Sequence, residues 1–146
     1  MSAPAEINLS SKIKSITCDS FDLEKVSKKV IQAIELDQVN FDMKVNFKPD
    51  SSTQELHINS TIEIFSDSSK TNYLGQMTTT GVFSILNFDE IVKPLNGKFP
   101  ATVVAMFIGI LLSTTRGFLI LKTEGTYLEG CMLPIINPTS FFTDGK

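Results

Sequence analysis

The feature that most constrains the fold of this chain is an apolar run that begins at Phe99 and continues to Lys122. Pro100 is typical of the first position of a helix, where its missing N–H costs nothing. Residues 101–112 are almost all apolar, on every side of a helical wheel, and Gly125 indicates where the helix ends. We therefore predict one helix of about 23 residues and roughly 35 Å.

A helix that is apolar on every side must be buried on every side. The chain's own strands can cover one side, so we predict that a second copy covers the other, giving a dimer or a tetramer. The candidate interface residues are Val103, Phe107, Ile110 and Leu111.

A membrane span is the alternative reading of the same run, because about 20 apolar residues suffice to cross a bilayer. Arg116 would cost roughly 2.5–3.5 kcal/mol at the membrane centre. Ser113, Thr114 and Thr115 dilute the run further. We therefore predict a buried interface helix and no membrane span.

Length and composition bound the class of protein. The 146 residues predict one domain over 9–146, preceded by a flexible tail at 1–8. A net charge of −3 gives no basic surface for nucleic acid. The N-terminus lacks a basic segment followed by an apolar core, which predicts a cytoplasmic protein. Cys18 and Cys131 lie far apart in no metal-binding spacing, which favours two buried, reduced thiols.

Alternation of apolar and polar residues predicts the strands. The clearest runs from Val39 to Lys48, where Phe41, Met43, Val45 and Phe47 alternate with polar residues without a miss. Further strands are predicted at Leu56–Ile64, at Tyr73–Leu86 and, with a bulge, at Leu9–Leu23. Residues 24–36 fit either a short amphipathic helix or an irregular connection.

The remaining segments complete the predicted architecture. Asp89–Lys93 can form a helical turn, and Thr126–Asn137 reads as extended because Pro134 and Pro138 exclude a helix. The fold class is therefore α+β, a four-stranded antiparallel sheet covered by one long C-terminal helix.

Catalytic and cofactor-binding motifs are not found in the sequence. The single histidine, His57, shares a strand face with polar residues and has no nucleophile at a suggestive spacing. The glycines form no phosphate-binding loop. Asp19 and Asp22, with Glu24, are either a solvated edge or a contact patch for a basic or metal-bearing partner, and they lack calcium-loop spacing. We predict a protein that is not an enzyme and needs no cofactor.

Short motifs in the last third of the chain resemble the SecB-like family of bacterial export chaperones. Arg116 is followed by Gly125-Thr126-Tyr127 and then by Met132-Leu133-Pro134-Ile135-Ile136-Asn137, similar to the family's Gly-Thr-Phe and Pro-Val-Asn-Phe motifs. Upstream, Gly81-Val82-Phe83-Ser84-Ile85 resembles the family's fourth strand, and Asp19-Ser20-Phe21-Asp22 its first. The likeness covers roughly residues 9–140.

The resemblance implies a sheet-and-helix fold, oligomers paired through buried helices, and binding of unfolded polypeptide in hydrophobic grooves. It implies candidate groove residues Phe83, Tyr127, Met132, Leu133 and Ile135. It would place Asp19 and Asp22 where the family presents acidic residues to a translocation motor. An antitoxin-type client is the other partner class.

Three functions remain from the sequence. The first is a non-enzymatic chaperone that binds extended polypeptide, with a role in protein export as one setting. The second is a structural or adaptor protein that self-associates and binds one fixed partner. The third, with least support, is a small ligand-binding domain or enzyme with an apolar pocket between sheet and helix.

Overall fold

The computed structural model describes residues 8–142. The predicted flexible tail at 1–8 therefore lies, except for Asn8, outside the described residues. Along the chain, a strand and a short helix are followed by three strands, a second short helix and a long helix, with short 3-10 turns at Leu36–Gln38, Lys93–Leu95 and Pro138–Phe142.

Four strands form one antiparallel sheet in the order β1-β4-β3-β2. Their bounds are β1 Ser11–Leu23, β2 Asn40–Asp50, β3 Glu55–Phe65 and β4 Tyr73–Ile85. Consecutive hairpins place β2, β3 and β4 side by side, and β1 pairs with the free side of β4. The two edge strands are therefore β1 and β2. The predicted antiparallel sheet is confirmed.

The alternation in the sequence translates into two unlike faces of the sheet. On β3, Leu56, Ile58, Ile62 and Ile64 are completely buried on one face. His57 is half-buried and Asn59 exposed on the opposite face. We call these the helix face and the open face.

β1 departs from regular pairing at two places. Its register against β4 shifts between Ile13 and Ser15 and again between Cys18 and Ser20. Lys14 and Asp19 are thus the extra residues of two bulges, where the sequence predicted a single one.

The long helix, α3, spans Ala101–Thr123 and packs over β4, β1 and β3. The single long helix over a four-stranded sheet confirms the predicted α+β class. By length and composition α3 could cross a membrane, and half of its apolar window is buried inside the chain. The sheet and the 3-10 turn at Pro138–Phe142 both contact α3.

The core between α3 and the sheet has two apolar clusters. One surrounds Phe83, whose ring centroid lies 4.5 Å from that of Phe107, and the other surrounds Met77 and Leu119. A layer of buried hydroxyls from Ser60, Thr79 and Thr115 lies between them.

Two connecting segments form short helices. Residues 24–36, left open by the sequence, contain α1, Lys28–Ala33, capped by the Ser27 hydroxyl, which accepts from the Val30 N–H at 3.2 Å. α2 spans Phe88–Val92, close to the helical turn predicted at Asp89–Lys93.

The segment after α3 differs from its prediction. Residues 124–130 form turns, and residues 131–137 have no regular secondary structure. The extended prediction for Thr126–Asn137 was therefore wrong for its first part. Gly125 and Gly130 have φ angles of 76° and 93°, where side chains are disfavoured, and they fold the chain back so that Leu128 is completely buried.

Candidate functional site

The helix leaves one strand of the sheet half covered. α3 packs mainly against β4, β1 and β3, so the helix-face side chains of β2 lie at the margin of the core. We call these side chains the β2 row: Phe41, Met43, Val45 and Phe47. The first three are half-buried, and Phe47 is 44% exposed. An apolar row along a sheet edge is therefore open to solvent.

The segment 131–137 forms a second apolar feature beside the β2 row. Cys131 and Leu133 point into the core with exposures of 1% and 2%, whereas Met132 and Ile135 are 58% and 93% exposed. Burial raises the pKa of the Cys131 thiol. The buried residues anchor the segment and present Met132 and Ile135 to solvent.

Arg116 holds this segment against α3. Its Nε donates to the carbonyl oxygen of Leu133 and its Nη2 to that of Pro134, both at 3.0 Å. A guanidinium fork suits two successive carbonyls, because its donors are fixed in one plane. Arg116, which counted against a membrane span in the sequence, thus attaches the segment 131–137 to α3.

Two clefts flank the segment 131–137. The β2 cleft, about 430 Å³, is lined chiefly by apolar residues and shares Phe41 with the β2 row. Its other lining residues are Leu36, Asp37, Val39, Gly130, Met132 and Pro134. The α3 cleft, about 530 Å³, lies between the outer side of α3 and Ile135, Ile136 and Pro138. The β2 row and the β2 cleft together make one continuous apolar surface.

Tyr127 lies outside both clefts. Its hydroxyl donates to the carbonyl oxygen of Glu24 at 2.7 Å and lies 3.2 Å from that of Leu74. Burial and then the Glu24 carboxylate raise the pKa of the phenol. Tyr127 therefore ties the turns after α3 to the ends of β1 and β4.

The five predicted groove residues thus separate into three environments. Met132 lines the β2 cleft and Ile135 the α3 cleft. Phe83 and Leu133 are buried in the core, where a client could reach them only if the helix moved. Tyr127 is half-buried. Sequence reasoning missed the β2 row as a surface: its alternation was plain, but the pattern alone assigned that face to the core.

The four predicted interface residues also separate. Val103, Phe107 and Leu111 belong to the core and are 5%, 2% and 0% exposed, so the chain itself already covers them. Ile110 is half-buried on the outer side and lines the α3 cleft. Exposed apolar side chains on that side are Met106, Ile120 and Leu121, at 44%, 41% and 66%.

Asp19 and Asp22 are exposed on β1. Asp19, in the second bulge, accepts hydrogen bonds from the hydroxyls of Thr17 and Thr80. Asp22 lies opposite Gln76 of β4 in the register of the sheet. The two carboxylates lie at the β1 edge, at the opposite side of the sheet from the β2 row.

Glu55, on the open face, forms a charged cluster with Lys14 and His57. Glu55 accepts from Lys14 Nζ at 2.5 Å and from His57 Nε2 at 3.0 Å. The hydrogen bond from Lys14 lowers the pKa of the Glu55 carboxyl group. Burial opposes this effect, and the hydrogen bond from His57 lowers the pKa further. Among residues 8–142, no three His, Cys, Asp or Glu side chains are grouped to hold a metal ion.

Comparison with known proteins gives a fold likeness. The sequence matches no protein-family model, and no curated protein is significantly similar. A solved structure of the Mycobacterium tuberculosis SecB-like chaperone, in complex with a ChAD peptide from the HigA1 antitoxin, is similar at a TM-score of 0.54 and 10% identity. The match covers 86% of this chain and 90% of that chain. A Streptococcus agalactiae protein of unknown function matches at a TM-score of 0.44 and 11% identity, covering 88% and 100%. The likeness to the Mycobacterium tuberculosis structure shows that the chain has a SecB-like fold.

Proposed function

We propose that this protein binds extended, apolar polypeptide segments without catalysing a reaction, as a chaperone does. The observation that carries the proposal is the β2 row, a line of half-covered apolar side chains continuous with the β2 cleft. The peptide in the structure of the SecB-like chaperone supports a polypeptide as the class of ligand.

Energetics explain why such a client must present several apolar residues. Full burial of one Val, Leu, Ile, Phe or Met side chain contributes about 1.5–3 kcal/mol. Micromolar binding requires about 8 kcal/mol, after the cost of ordering an extended chain has been met. The β2 row together with the exposed Met132 offers enough adjacent apolar surface for several such contacts.

The experiment is suppression of aggregation, with a matched pair of variants. A chemically unfolded protein is diluted into buffer with stoichiometric amounts of this chain, and light scattering is followed. We expect Met132→Ser to weaken suppression and Leu86→Ser to leave it unchanged, because both side chains are 58% exposed but only Met132 lines the cleft. Equal effects of the two variants would contradict the proposed site.

Self-association through the outer side of α3 is a second part of the proposal. Met106, Ile120 and Leu121 are unusually exposed for a helix of this apolar character. A second copy would remove them from water, giving a dimer or tetramer. We place the protein in the cytoplasm, and we propose a translocation motor, facing Asp19 and Asp22, or an antitoxin-type client as its partner.

The alternative function is an adaptor that binds one fixed partner. The exposed apolar side of α3 is as consistent with an adaptor as with a chaperone. A panel of unrelated apolar peptides separates the two functions. Micromolar binding of many peptides supports the chaperone, whereas binding of none, with self-association intact, supports the adaptor.

A further inference from the structure

The two edge strands of the sheet differ in their capacity to accept another strand. β1 is interrupted by bulges at Lys14 and Asp19. β2 pairs with β3 without a register shift from Asn40↔Phe65 to Asp50↔Glu55. Regular edge strands present a row of unpaired N–H and C=O groups, and bulges disrupt that row. β2 is therefore the regular edge.

The charged side chains on the open face of β2 determine whether this edge is positive or negative. Lys44 and Lys48 are exposed, and neither forms a salt bridge within residues 8–142. The two carboxylates of the strand are engaged: Asp42 pairs with Lys70, and Asp50 accepts from the Ser52 N–H at 3.0 Å. The charge left available along β2 is positive.

We propose that the client binds as a fifth strand on β2 and that it alternates apolar with acidic residues. This inference rests on the proposed function and specifies its ligand. The apolar residues of the client would lie beside the β2 row, and the intervening carboxylates would lie beside Lys44 and Lys48. Directly opposed cross-strand residues are close enough for such pairs to interact.

Geometry sets the length of the client segment. The stretch from Phe41 to Phe47 spans roughly 20 Å at about 3.4 Å per residue, so about seven client residues lie along it. Pro49 has no N–H to donate and lies beyond the row. The β2 cleft, at the Phe41 end, can take one larger side chain of the client.

The first test compares three fluorescently labelled peptides of equal length in a binding titration. One alternates Val with Glu, one has the same composition in two blocks, and one alternates Val with Lys. We expect the alternating Val-Glu peptide to bind roughly tenfold more tightly than either of the others, since each cross-strand pair contributes a modest, additive share. Equal affinity for all three overturns the inference.

The second test addresses the backbone. In a β-ladder, only every second N–H of the added strand points towards its neighbour. Val-Glu peptides are therefore N-methylated on alternate amides in the two possible phases. We expect one phase to bind at least tenfold more weakly and the other to bind nearly as the parent does. Equal loss, or no loss, in both phases overturns strand addition.

The third test reverses the charges on the protein. In Lys44→Glu/Lys48→Glu, preference should change from the Val-Glu to the Val-Lys peptide, by roughly tenfold in each direction. The matched control is Lys12→Glu/Lys98→Glu, which changes two exposed lysines away from β2. Circular dichroism verifies that both variants fold, and an unchanged preference in the first variant overturns the inference.

The outcomes separate this inference from the function beneath it. If apolar peptides bind without regard to order, charge or N-methylation, strand addition fails and the chaperone proposal stands. If no peptide binds and aggregation continues, both fail. If the β2 double variant loses a dimer that forms without peptide, a second copy occupies the edge, and the inference is overturned.

Discussion

The Oγ1 of Thr115 on α3 lies 3.1 Å from the Oγ1 of Thr79 on β4, inside a completely buried layer. Thr115 donates its proton to the Leu111 carbonyl oxygen at 2.7 Å, so Thr79 must donate to Thr115. Ser60, 2.5 Å from Thr79, must in turn donate to Thr79. This chain of hydroxyls fixes the position of the helix along the sheet, because sliding would strand buried polar groups.

We predict that Thr115→Val destabilises the fold by about 1–3 kcal/mol, because one buried hydroxyl proton loses its acceptor. Urea unfolding measures the change. The control is Thr114→Val, since the half-buried Thr114 hydroxyl donates only to the Ile110 carbonyl of its own helix. A loss no larger than the control's would mean that the layer contributes nothing to stability.

Arg116 should control the order of the segment 131–137. We expect Arg116→Gln to speed hydrogen exchange and proteolytic cleavage in that segment while leaving the sheet protected, because both carbonyl contacts are lost. Lys122→Gln, an exposed cation in the last turn of α3, is the matched control. Unchanged exchange in the Arg116 variant would refute the anchoring role.

The lowered pKa of Glu55 predicts that the stability of the fold depends on pH. Its pKa is lowered from the ordinary 4.5, chiefly by Lys14, so its contribution is present above about 4.5 and is lost as the pH falls through the folded-state pKa. Glu55→Gln should therefore be less stable than the parent at pH 7, with the difference shrinking towards pH 3. Urea unfolding across this pH range measures it.

Glu63→Gln is the control for that series, because Glu63 lies on the same strand and forms no salt bridge within residues 8–142. A difference for Glu55→Gln that persists unchanged at low pH would exclude the ion pair as its cause.

Gly75 and Gly117 should respond in opposite ways to alanine. A Cβ at Gly75 would lie 2.2 Å from the Asp22 carbonyl oxygen, where the backbones of β1 and β4 approach closely. We expect Gly75→Ala to cost about 1–3 kcal/mol. Gly117, with open space around it on α3, should gain about 0.5–1 kcal/mol as alanine. Thermal unfolding distinguishes the two, and equal effects would contradict the placement of β1.

Self-association can be tested at Ile110. We expect Ile110→Lys to shift the mass measured by light scattering towards the monomer, because its side chain lies on the outer side of α3. Leu86→Lys is the control, since Leu86 is exposed elsewhere. Leu111→Lys is unsuitable, because Leu111 is completely buried and its replacement would unfold the chain. A soluble Ile110→Lys variant with the parent's mass would contradict this interface.

Local patterns in the sequence determined the elements. The alternation from Val39 to Lys48 predicts a strand, which the structure places at Asn40–Asp50, and the apolar run after Pro100 predicts a helix, placed at Ala101–Thr123. The strand follows from its two-residue period and the helix from the length of its apolar run after Pro100, and both are features of consecutive residues. The resemblance at Met132 and Ile135 likewise identified two residues that line clefts.

Tertiary structure alone decided which surfaces remain open. A helix that is apolar on every side carries no signal for the side that meets the sheet, so Phe107 and Leu111 could not be distinguished from Ile110 by sequence. The position of β2 at an edge follows from the order in which distant strands pair, as does the half-covered state of its apolar row. The hydrophobic pattern of the sequence shows which side chains avoid water. Whether the same chain buries them depends on long-range packing.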